Sequence, residues 1–161
     1  MKKITILPSP TADTRTCDVS TVSYETLLSS TRMHQCDVNK GIGMFIDMLR
    51  ERAEIHDITK ITHGSMFYKD FKNNFLTKEW WEMHKSKERH HLQVEGMRSE
   101  GPQGITLIDV LENIVDGVMA GMARGGKYVY CPIDPVLLSL AYCNTISLLL
   151  SSVEVEESGV E

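Results

Sequence analysis

The chain has 161 residues, a length that fits one domain able to bury roughly two-thirds of the surface of its unfolded chain. Its net charge of −5 argues against a broad nucleic-acid-binding surface, although a small anionic ligand is compatible with it. The four cysteines are widely spaced, which favours free thiols over a disulfide framework. Apolar runs near the N-terminus and at 148–150 are too short for a signal peptide or a membrane span, so we expect a cytoplasmic protein without a membrane partner.

The predicted elements are helical, apart from an extended N-terminal segment over 1–20. Residues 3–7 alternate enough for one strand, and 8–18 are typical of a polar loop. Helices are expected from near Tyr24 with Ser20 or Thr21 as the cap, then over about 31–53, 66–92, 106–124 and Pro135 to Ser152. A loop over 94–104 and a frayed acidic tail over 154–161 complete an all-α domain with its core at about 24–152.

The helix predicted over 106–124 is apolar except on one face. That face carries four polar residues at helical spacings of three, four and seven: Asp109, Glu112, Asn113 and Asp116. The stripe is either the helix's only solvent-facing side or the wall of an internal polar site. Buried carboxylates would be costly without a cation, so the second alternative predicts a metal ion nearby.

Histidines in the same chain favour the internal site. His56 and Asp57 are adjacent and can give one cation a nitrogen and an oxygen ligand, while His34 lies four residues before Val38 on an apolar stripe predicted to face inward. His84, His90 and His91 follow, although a lone histidine is more often a packing or surface residue. The spacing leaves open whether His90 or His91 turns inward. For His63, between Thr62 and Gly64, a loop position is as compatible with the sequence as one where it supports a ligand or meets a phosphate.

Several other side chains have both a functional and an ordinary interpretation. Lys60, three residues after Asp57, could pair with a phosphate or be a solvated lysine. Arg89 could do the same or belong to a charged helix face. Trp80 and Trp81 could stack on a nucleobase, whereas core packing is expected for at least one of them.

The order of these residues resembles the HD-domain superfamily of metal-dependent phosphohydrolases. The segment from His56 to Lys60 (His-Asp-Ile-Thr-Lys) is similar to the superfamily's His-Asp-hydrophobic-Gly-Lys signature, with Thr59 replacing the usual small residue. More closely, the chain resembles a small uncharacterised HD-like family of phage and bacterial proteins. The matching features, within about 31–125, are the His-Asp segment, Trp81-Glu82-Met83-His84, His90-His91 and the helix from Asp109 to Asp116.

The resemblance implies an HD-like helical bundle that holds one or two divalent ions of Mn, Fe, Co, Ni, Zn or Mg. The implied ligands are His34, His56, Asp57, His84, His90 or His91, and Asp116, with Asp109 as an alternative to Asp116. Asp57 would bridge the ions, Lys60 would pair with phosphate, and Asp109 or Glu112 would take a proton from water.

Three functions follow from this resemblance. The first is a phosphohydrolase acting on a nucleotide or related phosphate ester, in the host cytoplasm if the chain is phage-encoded. The second is a non-catalytic HD-like protein that binds a nucleotide or a partner protein. The third is a helical bundle with a purely structural metal. The sequence leaves the oligomeric state open.

Overall fold

The structure is a computed structural model that describes residues 3–9, 17–92, 102–128 and 132–156. Its helices are α1 (Tyr24–Ile55), α2 (Ile58–Thr62), α3 (Gly64–Lys72), α4 (Glu79–Lys87), α5 (Leu107–Gly125) and α6 (Pro135–Ser152), with one 3-10 turn at Val19–Thr21. Two short strands, β1 (Ile4–Ile6) and β2 (Val153–Val155), complete the described elements. The predicted all-α class with a short N-terminal strand is confirmed.

Two compact units divide the chain. The first comprises Met1–Asp47 and Ser147–Glu161, and the second comprises Met48–Ile146. In the first unit β1 pairs in parallel with β2, with Ile4 opposite Val153. The prediction of a frayed tail from residue 154 is wrong for the residues of β2, because the N-terminal strand gives their backbone a hydrogen-bonding partner. The rest of that tail, after Glu156, lies outside the described residues, as does most of the predicted 94–104 loop.

Helix α1 is one continuous helix of 32 residues rather than two. Its first turn is capped by Ser23, whose Oγ accepts a hydrogen bond from the Thr26 amide at 3.1 Å. The expected caps, Ser20 and Thr21, belong instead to the preceding 3-10 turn. His34 is exposed on α1, as is Val38, so the prediction that His34 faces inward is wrong.

The helix predicted over 66–92 is broken into α3 and α4. The connection contains neither glycine nor proline, yet Asn74, Phe75 and Lys78 adopt left-handed φ angles of 52°, 57° and 56°. Buried Asp70 stabilises this break, since its Oδ2 accepts the Trp80 amide at 3.0 Å. Because α4 ends at Lys87, His90 and His91 follow it in a turn. The spacing of side chains around a helix therefore does not determine the directions of these two rings.

Helices α5 and α6 begin and end where the sequence predicts. Thr106 forms a capping box with Asp109 at the start of α5, and Gly126 ends the helix with a φ of 65°. The Val136 amide donates to Asp134 Oδ1 at 2.8 Å, as expected for a cap of α6. The two helices share the apolar core of the second unit, which contains Leu92, Ile105, Val110, Leu137 and Ala141.

Helix α6 is the one helix in the described ranges that is long and apolar enough to cross a membrane. It has 18 residues with a mean hydropathy of 1.4, and 22% of them are buried. A single helix of this kind is weak evidence for a membrane span, because core helices of water-soluble proteins can have the same length and apolar composition. The cytoplasmic location therefore stays a prediction.

Gly121 in α5 offers a test of the packing between this helix and the segment that follows it. A Cβ atom there would lie 2.8 Å from the Lys127 carbonyl oxygen, so Gly121→Ala should lower the free energy of unfolding by about 1 to 3 kcal/mol. Gly43→Ala in α1 is the matched control, since its Cβ would meet nothing within 4 Å and should stabilise the helix by about 0.5 to 1 kcal/mol. Urea denaturation followed by circular dichroism measures both. Equal effects of the two substitutions would contradict the close approach.

Candidate metal centre

The centre is built at the turn where α1 ends. His56 and Asp57 form this turn, and Asp57 adopts a left-handed φ of 56° that redirects the chain into α2. Aspartate tolerates this conformation better than most residues. His90 lies in the turn after α4, and Asp116 lies on α5. All four residues belong to the second compact unit.

One group of donor atoms comes from these four residues. His56 Nε2 lies 3.4 Å from Asp57 Oδ2 and 3.6 Å from Asp116 Oδ1. His90 Nε2 lies 3.8 Å from Asp57 Oδ1 and 4.0 Å from Asp116 Oδ2. These separations exceed hydrogen-bond lengths, whereas donors about 2.1 Å from a shared ion lie roughly 3 to 4 Å apart. The spacing therefore suits a cation among the four residues.

A second group of donors uses the same aspartate. His84 Nε2 lies 3.2 Å from Asp57 Oδ1 and 2.8 Å from His91 Nε2. Asp57, His84 and His91 each offer one ligand atom within 4.8 Å of the others. Because Asp57 belongs to both groups, it is in position to bridge two ions, as the resemblance implies.

Glu112 contacts His56 and His90 at their Nδ1 atoms, on the opposite side of each ring from Nε2. Its Oε1 lies 3.0 Å from His56 Nδ1 and 3.1 Å from His90 Nδ1, although the contact with His90 is not aligned as a hydrogen bond. These three residues are also compact enough to hold an ion themselves. Glu112 Oε1 contacts the Nδ1 atoms, however, whereas both Nε2 atoms lie toward the aspartates. We therefore interpret Glu112 Oε1 as the partner that orients the two rings.

Some buried polar atoms of these residues have no hydrogen-bond partner, which indicates whether the residues fit a cation. Among the described residues, Asp57 Oδ1 and His90 Nε2 are buried and make no hydrogen bond. Leaving such atoms unpaired is costly, and an ion bound between them would remove the cost. Mixed imidazole and carboxylate donors suit Mn, Fe, Co, Ni or Zn. The chain thus contains buried His, Asp and Glu groups positioned to hold a metal ion.

The electrostatics of the centre favour the cation-binding forms of Asp57 and His91, but not that of His90. Burial raises the pKa of Asp57, but the neighbouring His84 ring and the Lys60 ammonium group outweigh it and hold this pKa well below its usual range. Burial, and then the charges of His90 and His84, lower the pKa of His91 to about 3. Burial also lowers the pKa of His90, but the Glu112 carboxylate outweighs this effect and raises it. Asp57 is therefore ionised and His91 neutral at pH 7.

Asp109 is committed to a pair of arginines and cannot take the roles predicted for it. Its side chain is 0% exposed, and Arg89 binds both of its oxygens, at 2.9 and 2.8 Å. Arg52 adds a bond to Oδ1 at 3.0 Å, and the Thr106 amide adds one to Oδ2 at 2.8 Å. We call Asp109 with Arg52 and Arg89 the arginine clamp. Asp116 is consequently the α5 aspartate of the donor groups, and Arg89 is unavailable to a phosphate.

The structure brings most of the predicted site residues together. The donor groups and their contacts contain His56, Asp57, Lys60, His84, His90, His91, Glu112 and Asp116. Both His90 and His91 contribute, because their turn lets adjacent side chains face the same site. His34 is in none of the donor groups, and His63 Nδ1 instead contacts Thr62 Oγ1 at 3.0 Å.

Two cavities open beside the donor groups. The smaller, of about 440 Å³, is mostly apolar and includes His56, Glu112 and Asp116 in its lining. The larger, of about 790 Å³, is lined by three cationic side chains, five aromatic ones and three residues of the donor groups: Lys60, Lys78, Arg124, Phe67, Phe71, Phe75, Trp80, Trp81, His84, His91 and Asp116. We call the larger one the aromatic cavity.

Neither a protein-family model nor a curated protein nor a solved structure matches this chain. The likeness to the HD-domain superfamily therefore rests on the motifs themselves and stays a prediction.

The arginine clamp predicts a stability effect at Asp109. Asp109→Asn leaves two partly buried guanidinium groups without a carboxylate and should lower the free energy of unfolding by about 3 kcal/mol. Glu51→Gln, on the exposed surface of α1, is the control and should change it little. Chemical denaturation of both variants measures the difference.

The same clamp predicts how that difference varies with pH. Burial raises the pKa of Asp109, but hydrogen bonding to Arg89 outweighs it, so the folded pKa is lowered. The stabilisation should be complete above the unfolded value of about pH 4 and disappear as pH falls through the lower folded value. A pH-independent difference between wild type and Asp109→Asn would contradict this.

Proposed function

We propose that this protein is a metal-dependent phosphohydrolase acting on a nucleotide or a related phosphate ester. The observation that carries the proposal is the position of Asp57, which is common to two donor groups beside the aromatic cavity. The likeness of the His56-to-Lys60 segment to the HD signature supports the same chemistry. Fold class alone would support no reaction.

The residues divide naturally into two ion sites. His56, Asp57, His90 and Asp116 would hold one divalent cation, and Asp57, His84 and His91 would hold a second. A bound divalent cation supplies a water of lowered pKa and offsets negative charge on phosphoryl oxygens. Lys60, which is hydrogen-bonded to Asp57, places an ammonium group next to both sites.

Glu112 has two oxygens in different environments. Oε1 contacts the histidine rings, while Oε2 has no hydrogen-bond partner among the described residues. Glu112 also lines the smaller cavity beside His56 and Asp116. Of the two residues predicted to take a proton from water, Glu112 keeps an unpaired oxygen and Asp109 does not, so Glu112 would fill this role.

The aromatic cavity suits a ligand with a flat ring and a phosphate. Lys60, Lys78 and Arg124 put three positive charges in the wall of a protein whose net charge is −5. Trp80 is 2% exposed and therefore packs in the interior, as expected for one tryptophan of the pair. Trp81 and Phe71 retain accessible ring surface on which a base can stack.

Elemental analysis of three purified proteins tests the proposal. We expect one or two transition-metal ions per chain in the wild type and in His34→Gln, and few or none in Asp57→Asn. Asparagine keeps the left-handed turn while removing the bridging charge, so a loss of metal would reflect ligand chemistry rather than backbone strain. His34→Gln is the control because that histidine is exposed and outside the donor groups.

The same proteins should then be screened for phosphate release from nucleotides with Mn²⁺, Co²⁺, Zn²⁺ and Mg²⁺. Turnover in the wild type and His34→Gln, but not in Asp57→Asn, is the expected result. Unchanged turnover in Asp57→Asn would refute the assignment. Tight nucleotide binding without turnover would favour a non-catalytic binding protein, and loss of thermal stability on chelation without either would favour a structural metal.

Cations of the aromatic cavity should affect substrate binding more than the chemical step. Lys78→Gln and Arg124→Gln should each raise KM by about two- to fivefold with little change in kcat, because both side chains are exposed and partly screened. Lys72→Gln is the control, since Lys72 carries the same charge but does not line the cavity. Steady-state kinetics at two salt concentrations would separate these effects. Equal KM changes in all three variants would argue against phosphate binding there.

A further inference from the structure

Two buried residues outside the donor groups form a hydrogen-bonded chain to His84. Thr59, in α2, is 4% exposed, and Glu88, just after α4, is 7% exposed. Thr59 Oγ1 lies 2.6 Å from Glu88 Oε1 and 2.6 Å from His84 Nδ1. The same carboxylate oxygen also accepts the Thr59 backbone amide at 3.0 Å. His84 itself is fully buried.

The number of protons on these atoms fixes the direction of each hydrogen bond. An ionised carboxylate only accepts, so Thr59 must donate its single hydroxyl proton to Glu88. The hydroxyl oxygen can then only accept from His84, which requires a proton on His84 Nδ1. In a neutral imidazole the other nitrogen, Nε2, then carries an unprotonated lone pair, and His91 Nε2 lies 2.8 Å from it.

We infer that Thr59 and Glu88 form a relay that holds His84 in the tautomer able to bind a metal ion. His84 Nε2 is the atom that lies 3.2 Å from Asp57 Oδ1, inside the second donor group. Without the relay, this carboxylate would favour a proton on Nε2, which is the form that cannot bind a cation. Thr59 and Glu88 are therefore positioning residues that act through His84. The inference rests on the second metal site of the proposed function.

Ring packing supports this function for the relay. Trp80 stacks on His84 with a centroid separation of 4.4 Å and an interplanar angle of 20°. The stacked indole fixes the plane of the imidazole but exerts no control over which nitrogen carries the proton. Thr59 and Glu88 supply that control, in the way that outer partners of metal-bound histidines generally set ring orientation and basicity.

Long-range proton–nitrogen correlation spectra of isotope-labelled, metal-free protein test the relay directly. In the wild type we expect His84 to have a protonated Nδ1 and an unprotonated Nε2. Thr59→Val removes the hydroxyl with little change in volume and should shift the proton toward Nε2, while Thr59→Ser should restore the wild-type pattern. Thr62→Val is the matched control, because Thr62 lies on the same helix and its hydroxyl donates to Ile58 O instead.

Titration of the same proteins with Zn²⁺ gives a second readout. Affinity for the second ion should fall by about 10- to 100-fold in Thr59→Val and stay near wild type in Thr59→Ser and Thr62→Val. A wild-type His84 protonated on Nε2 would overturn the relay, and this measurement holds even if Thr59→Val fails to fold. An unchanged tautomer and Zn²⁺ affinity in Thr59→Val would also overturn it, because a merely structural threonine changes only stability. If no protein binds metal but His84 shows the expected tautomer, the proposed function fails and the relay stands.

Discussion

The arginine clamp is the interaction on which the metal centre depends. Arg52 comes from the end of α1, Arg89 from the segment between α4 and α5, and Asp109 from the first turn of α5. Each of these segments also carries part of the donor groups a few residues away. A carboxylate that is fully removed from water must be matched by donors, so the three segments are fixed in one relative arrangement. The positions of the donor atoms are therefore set by an ion pair that is not itself part of the donor groups.

Local signals in the sequence account for the parts of the fold that were predicted correctly. The cap at Asp134, the capping box at Thr106 and the glycine after α5 are set by residues within one helical turn. The break between α3 and α4 was not predicted, because the side chain that stabilises it lies outside the connecting segment. No glycine or proline marks it, and buried Asp70 stabilises it through bonds to Thr77 within the connection and to Trp80 at the start of α4. Strand β2 was missed for a similar reason, since its partner lies at the other end of the chain.

The candidate site shows the same division between local and distant causes. Residue type and order identified the histidines and Asp57, because few other functions need imidazoles and carboxylates in that series. The choice between Asp109 and Asp116 depended on which carboxylate meets the arginines, and helical periodicity places both on one face. Thr59 and Glu88 were not predicted as functional, since hydroxyl and carboxylate side chains are common. The only available signal was the departure of Thr59 from the small residue of the HD signature.

The donor groups draw on residues from His56 to Asp116, which no local segment can bring together. An unfolded chain therefore offers a cation only scattered, weak ligands, and any ion that occupies the centre binds the folded state selectively. By mass action, its binding free energy adds to the stability of the second compact unit and rises with the free concentration of the ion. The melting temperature of this chain would then rise with the free concentration of the metal ion, independently of any reaction at the centre.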